Sequence, residues 1–146
     1  MNHLKFCSAL LHAVLVATLL ACDMSAAEGQ KIEYGDLSEL RGVTVVFIDS
    51  GTDLKFREHA IEALSKELPS LRVGKEDEAE IVLQVEIRGS DSKHGAAVML
   101  VLGRTTKPNT IHLIAKYEDS KSSIFTKKLS SVLIGRFARD YREANR

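Results

Sequence analysis

The side chains best placed to do chemistry are two carboxylates four residues apart, Asp49 and Asp53, in the segment 43–53 (VTVVFIDSGTD). Carboxylates gathered where a buried strand ends can hold a divalent cation or divide the acid and base steps of a hydrolysis. The same letters also have a structural use. Asp49-Ser50-Gly51-Thr52-Asp53 supplies a polar turn and, at Thr52 or Asp53, a helix N-cap. The remaining inventory is thin. Beyond residue 27 the histidines are His59, His94 and His112, and no two have the i,i+4 spacing that sets a zinc pair on one helix face. There is neither a Gly-x-Ser-x-Gly nucleophile elbow nor a Gly-x4-Gly-Lys-Ser/Thr phosphate loop. The pattern implies no catalytic residue, no metal and no cofactor, and leaves Asp49 and Asp53 as the one candidate surface site.

The run Phe47-Ile48-Asp49-Ser50-Gly51-Thr52-Asp53-Leu54 resembles the Asp-x-Asp-Gly-Thr motif that follows a hydrophobic strand in haloacid-dehalogenase-like phosphatases. The register fails. With Gly51-Thr52 on the motif's Gly-Thr, Ser50 and Ile48 stand where its two aspartates belong. The nucleophile and the proton donor that the resemblance implies are then both missing, and the chain is too short for the rest of that fold. A cap accounts better for Thr52 and Asp53.

The elements that would position these residues follow from periodicity. Residues 43–49 are apolar on both faces apart from Thr44, which reads as an interior strand covered on both sides. A helix runs from Thr52 or Asp53 to about Leu68, with Leu54, Ala60, Ile61, Leu64 and Leu68 as its apolar stripe, and Pro69 stops it. Residues 71–73 are a candidate short strand. The acidic run 76–80 lacks the alternating ligands and internal glycine of a calcium loop and reads as solvated. Ile81, Leu83, Val85 and Ile87 then alternate with Gln84, Glu86 and Arg88, the clearest strand in the chain. Residues 96–102 are apolar on both faces and make a second central strand. Residues 110–117 make another, with Ile111, Leu113 and Ala115 inward, and the three form an antiparallel meander. Residues 124–129 fit either a short edge strand or the start of a helix. From Ser130 or Ser131 an amphipathic helix runs to about Ala144, with Leu133, Phe137 and Tyr141 on one side. Its arginines, Arg136, Arg139, Arg142 and Arg146, match the negative end of the helix dipole. The order predicts an α+β fold: a two-layer sandwich, β-α-(β)-β-β-β-α, with a four- to five-stranded sheet and two helices on one face. If the strands at 43 and 81 are parallel neighbours, the passage through the helix between them is a right-handed βαβ crossover.

Composition bounds the function. A chain of 146 residues with 45% hydrophobic and 27% charged residues suits one globular domain and not a disordered segment. Twenty basic and twenty acidic residues cancel, and removing residues 1–27 takes Lys5 and Asp23 and leaves the balance at zero. No single-signed field exists to bind nucleic acid. Residues 1–27 carry Lys5, an apolar stretch from Ala9 to Ala21 and small residues at Ser25-Ala26-Ala27, the layout of a secretory signal. At about a dozen residues that stretch is shorter than the roughly 20 a spanning helix needs.

Two processing routes fit. Cleavage after Ala27 satisfies the small-x-small pattern. Alternatively, Thr18-Leu19-Leu20-Ala21-Cys22 resembles the lipobox of bacterial lipoproteins, which implies cleavage after residue 21, lipidation of Cys22 and a lipid anchor to the membrane. Within that resemblance, Asp23 implies retention at an inner membrane. Cys7 lies in the signal and residues 28–146 hold no cysteine, so thiol chemistry and disulfides are excluded from the domain. Residues 28–39 read as a tether and residues 40–146 as a single domain. The pattern LRGVTVVFID, a helix, then Glu78-Ala79-Glu80-Ile81-Val82-Leu83 opening a strand resembles small bacterial envelope domains, and is similar in layout to curli-secretion and penicillin-binding-protein-activator lipoproteins. That resemblance covers residues 40–145 and implies an exported, non-enzymatic domain that binds an envelope protein or a cell-wall component. A soluble periplasmic or secreted form is the alternative address. A small periplasmic hydrolase or metal-dependent enzyme using Asp49 and Asp53 is the alternative function. A third reading is a domain that oligomerises through a sheet face or edge.

Overall fold

The clearest alternating segment, around residues 81–89, pairs with the segment that is apolar on both faces, around residues 95–103, to form the middle of a six-stranded sheet. The computed structural model describes residues 30–89, 95–121 and 126–146. Its elements are β1 (Lys31–Tyr34), a 3-10 turn (Leu37–Leu40), β2 (Val45–Asp49), α1 (Leu54–Glu67), β3 (Arg72–Val73), β4 (Ile81–Gly89), β5 (Gly95–Gly103), β6 (Thr110–Lys121) and α2 (Thr126–Ala144). The strand order is β1-β6-β5-β4-β2-β3. Strands β4, β5 and β6 form the antiparallel meander, while β2 lies parallel to β4 with Val46 beside Ile81 and Ile48 beside Leu83. The α+β class therefore holds, with six strands in place of four or five, and β2 and β4 are the parallel neighbours that a crossover through α1 requires.

Both helices lie on one face. Val46 and Ile48 from β2, Ile81, Leu83 and Val85 from β4, and Ala97, Met99 and Val101 from β5 meet Phe56, Ala60 and Leu64 of α1 and Leu129, Leu133, Ile134, Phe137 and Ala138 of α2 in one core. The C-terminal end of α2 fastens residues 40–43, just before β2, to this core. The Asn145 side chain accepts from Gly42 N at 2.8 Å and donates to the Leu40 carbonyl at 3.1 Å, and the Tyr141 hydroxyl donates to the Val43 carbonyl at 2.6 Å. Arg142 donates to the Glu67 carbonyl and carboxylate, each at 3.1 Å, closing the C-terminal end of α1.

Several expectations need correction. Residues 28–39 are not simply a tether: Lys31–Tyr34 is an edge strand parallel to β6, with Ile32 beside Ile111. A four-residue strand leaves almost no periodicity to read, and its partner lies nearly 80 residues downstream. Among the apolar residues of α1, Leu54 is exposed and Phe56 is fully buried, because the core takes the i,i+4 series Phe56, Ala60, Leu64. On β6, Leu113 leaves the expected inward row. A bulge at Ile114 breaks the alternation, so Ile114 and Ala115 both join the core while Leu113 points to the other face. The helix α2 starts at Thr126, which settles residues 126–129 as helix, and Ser130 and Ser131 lie within its first turns. Both donate to the Lys127 carbonyl and neither is the N-cap. Residues 122–125 lie outside the described residues.

Truncation at the two ends of the α1 comparison separates these readings. Phe56→Ala is expected to cost about 3–5 kcal/mol of unfolding free energy. Leu54→Ala is expected to stay within about 0.5 kcal/mol, as surface changes do. Urea titration of both variants checks the assignment.

Candidate functional site

The strand–turn–helix junction that carries Asp49 and Asp53 is built from backbone needs. At the end of β2 the Asp49 Oδ1 accepts from Gly51 N at 3.0 Å, closing a turn in which Gly51 takes φ +57°. The Ser50 hydroxyl donates to the Asp53 carbonyl at 2.8 Å, and Asp53 N donates to the Ser50 carbonyl at 3.1 Å. Asp53 is the N-cap of α1, its Oδ1 accepting from Phe56 N at 2.8 Å. Beyond Val46, β2 has no strand on its β3 side among the described residues, and there Arg57 takes over. Its Nε donates to the Ile48 carbonyl at 3.2 Å and its guanidinium lies 5.6 Å from the centre of the Phe47 ring.

The histidines do not converge on this junction. His59 lies on α1 with Nδ1 4.0 Å from the Glu62 carboxylate. His112 sits near the start of β6, beside Gly103 of β5, with Nε2 2.6 Å from Glu39 of the 3-10 turn. Neither Gly35 nor Gly103 leaves room there: a Cβ on Gly103 would come within 2.6 Å of the imidazole ring. The ladder places His112 three strands from Asp49, about 14 Å across the sheet at ~4.8 Å per strand. His112 is therefore not brought to the Asp49–Asp53 junction. His94 and Cys22 lie outside the described residues. Among the described residues no group of three or more histidine, cysteine, aspartate and glutamate side chains could hold a metal ion.

The acidic run is the solvated turn expected, with Glu76, Asp77, Glu78 and Glu80 exposed, and it is tied to the sheet at its end. Its last member, Glu80, accepts through one oxygen from Thr44 N (2.8 Å), Thr44 Oγ1 (2.8 Å) and Val45 N (3.1 Å), tying the mouth of β2 to the start of β4. These donors, Thr44 first, hold its carboxyl below the usual glutamate range. Arg104 spans the loop from the far side, donating to the carbonyls of Ala79 (2.5 Å), Glu76 (3.1 Å) and Asp77 (2.5 Å). Nothing in the sequence spacing announces this, since the partners lie about 25 to 36 residues apart.

A second region emerges on the face of the sheet opposite the helices. Val98 and Leu100 of β5 and Leu113 of β6 are buried there, with Ile32 of β1 and Leu102 of β5 packed against them. The register adds Val45, Phe47 and Asp49 from β2, Val82, Gln84 and Glu86 from β4, and Lys116 and Glu118 from β6. None of the described helices covers this face. The sequence signal for it was present: residues 43–49 and 96–102 are apolar on both sides, and only one side carries helices. Gln84, in the middle of the face, is 4% exposed and its Oε1 has no hydrogen-bond partner. A buried amide oxygen without a donor costs about 1–3 kcal/mol.

No family model matches the chain, and a search among curated proteins finds no match.

The lowered carboxyl of Glu80 has a sign that can be checked. Its contribution is complete above the unfolded glutamate range and is lost as pH falls through the lower folded value. Glu80→Gln is expected to destabilise the domain at pH 7 and to lose that penalty progressively toward pH 3, measured by urea unfolding at a series of pH values. Asp53→Ala is expected to cost about 1 kcal/mol, and the same cost at Asp49 and Asp53 without loss of helix content would rule out the cap assignment.

Proposed function

We propose that the chain is an exported bacterial cell-envelope protein, anchored by lipid on Cys22, whose domain is a non-catalytic binding or assembly module. The observation that carries this reading is the helix-free sheet face, where an apolar cluster surrounds a buried side-chain amide with an unpaired oxygen. The centre of that face is already buried within the single chain, and the half-buried Phe47, Val82 and Leu102 beside it are the apolar area that a partner would cover. Two further points support it. The polar residues of the 49–53 turn already have backbone tasks that a catalytic role would have to displace. The N-terminal stretch has the charge, the apolar run and the Leu19-to-Cys22 spacing that an export signal with lipidation requires. No described helix is long and apolar enough to cross a membrane, so a lipid would supply the attachment.

Two measurements on material made in a bacterial host test the reading together. Mass spectrometry of the mature N-terminus is expected to find a chain starting at an acylated Cys22, and an unmodified start at Glu28 would contradict the anchor. A photo-crosslinking residue at position 102, on the helix-free face, is expected to form adducts with a protein or with cell-wall glycan, while one at position 58 on the outer side of α1 is not. Equal or absent crosslinking at both would contradict a binding role for that face.

A further inference from the structure

We propose that the outer edge of β1 pairs antiparallel with β1 of a second copy, joining two sheets edge to edge about a two-fold axis at Ile32. The seam lies at the border of the sheet, away from the buried centre of the helix-free face, and the inference goes beyond the binding reading above.

Strand β1 ends the strand order, so β6 is its one partner in the sheet. The parallel register decides which of its backbone groups are left over. Lys31 N donates to the Asn109 carbonyl at 2.8 Å and Gly35 N to the Leu113 carbonyl at 2.9 Å, so the odd-numbered residues turn toward β6. The N–H and C=O groups of Ile32 and Tyr34 therefore point outward, and no described residue pairs with them. Such a row is a template for another strand unless something blunts it. At the opposite border Arg57 does so, by taking the Ile48 carbonyl. Strand β1 has neither a proline nor a bulge, and among the described residues no side chain takes its outward groups. The edge is also open. Among the described residues three large apolar side chains are exposed, and two of them, Tyr34 (69%) and Leu37 (40%), lie in β1 and in the turn that follows it.

Register selects how a second copy fits. In an antiparallel pair outward groups must meet outward groups, so even-numbered residues face even-numbered ones. A two-fold axis at Glu33 would set Glu33 directly over Glu33, like charges in a close pair. An axis at Tyr34 would set Ile32 against Asp36, whose carboxylate caps the 3-10 turn. An axis at Ile32 avoids both. Ile32 then faces Ile32, Tyr34 faces Gln30, and Lys31 faces Glu33. Glu33 is already held by Lys107, so that last pair adds little and the apolar contact carries the seam. Each Tyr34 lies diagonal to the partner's Ile32 on the same side of the sheet, within reach of an aromatic ring. The seam thus extends the cluster of Ile32, Leu102 and Leu113 and covers the exposed tyrosine.

Tethering supplies the second copy, a point that rests on the anchor proposed above. With a lipid on Cys22, only residues 23–30 separate the membrane from β1, a reach of roughly 30 Å. A seam of one short strand belongs at the small end of interfaces, and confinement to a common surface raises the effective concentration that it needs.

Residues 28–146 hold no cysteine, so introduced cysteines report the seam. Ile32→Cys faces itself across the axis at a Cα separation of about 5.5 Å, within the ~4.4–6.8 Å that a disulfide spans. The full chain, expressed and exported in a bacterial host, is compared on non-reducing gels with the unsubstituted chain and with Leu54→Cys on the exposed side of α1. Ile32→Cys is expected to give at least tenfold more disulfide-linked dimer than either. The double variant Gln30→Cys, Tyr34→Cys leaves Ile32 in place, faces itself in the same register and is expected to give the dimer as well. Adding Tyr34→Pro to Ile32→Cys removes an outward N–H and leaves the bonds to β6 intact. It is expected to cut the dimer at least tenfold with unchanged circular dichroism. Dimer no greater than that of Leu54→Cys in both cysteine variants, or a dimer indifferent to Tyr34→Pro, overturns the proposal. Disulfide adducts with a different protein and no homodimer overturn the second copy as occupant. The binding reading of the helix-free face stands or falls separately, on crosslinking at position 102.

Discussion

The packing of both helices against a single face of the sheet is the constraint from which the rest of the molecule follows. Phe56, Ala60 and Leu64 of α1 and Leu129, Leu133, Phe137 and Ala138 of α2 all bury against the inward rows of β2, β4 and β5. Each large side chain so buried contributes about 1.5–3 kcal/mol, and residues 28–146 contain no cysteine with which to staple the fold. The peripheral polar contacts serve this arrangement. Asn145 and Tyr141 dock the segment before β2 onto α2, Arg142 closes the end of α1, and Glu80 holds β2 against β4. Within the core, Tyr117 donates to Asp140 at 2.8 Å, and burial together with that carboxylate pushes its phenol well above the usual range.

The other face of the sheet carries a second, smaller buried cluster and no described helix. Strands β2 and β5 present apolar residues in both directions, yet the chain supplies described helices for only one. An antiparallel sheet with one solvated face ordinarily alternates apolar and polar residues, and β4 does so with Val85 inward and Gln84 and Glu86 outward. Strand β5 departs from the rule, since Val98, Leu100 and Leu102 all face outward beside a buried Gln84. A strand with no polar side belongs where both faces are buried, and Val98 and Leu100 are accordingly as buried as Met99 and Val101 on the helix side.

Much of the architecture was legible in local pattern. The buried strand at β2, the amphipathic α1, the β4–β6 meander and the C-terminal helix each have a period that identifies them. What was not legible depended on contacts distant in sequence. Strand β1 exists because β6 offers it an edge, and four residues cannot declare that on their own. The bulge at Ile114 reverses which residues of β6 face the core, and a strict period of two hides it. Leu54 looks as apolar as Phe56, but the turn of the helix sets one in water and the other in the core. For the candidate site, the cap chemistry of Asp53 was readable, with Thr52 as its rival. The cluster around Leu100 could be named only once strand order and register put Ile32, Leu102 and Leu113 beside one another.

The most direct measurement of the central constraint, that both helices pack on one face of the sheet, is a set of methyl–methyl NOEs. Contacts are expected from Leu64 and Leu133 to the inward row of Leu83 and Val101, and from Leu100 to Leu102 and Leu113 with none to the helices. NOEs from Leu100 to Leu64 or Leu133 would contradict it.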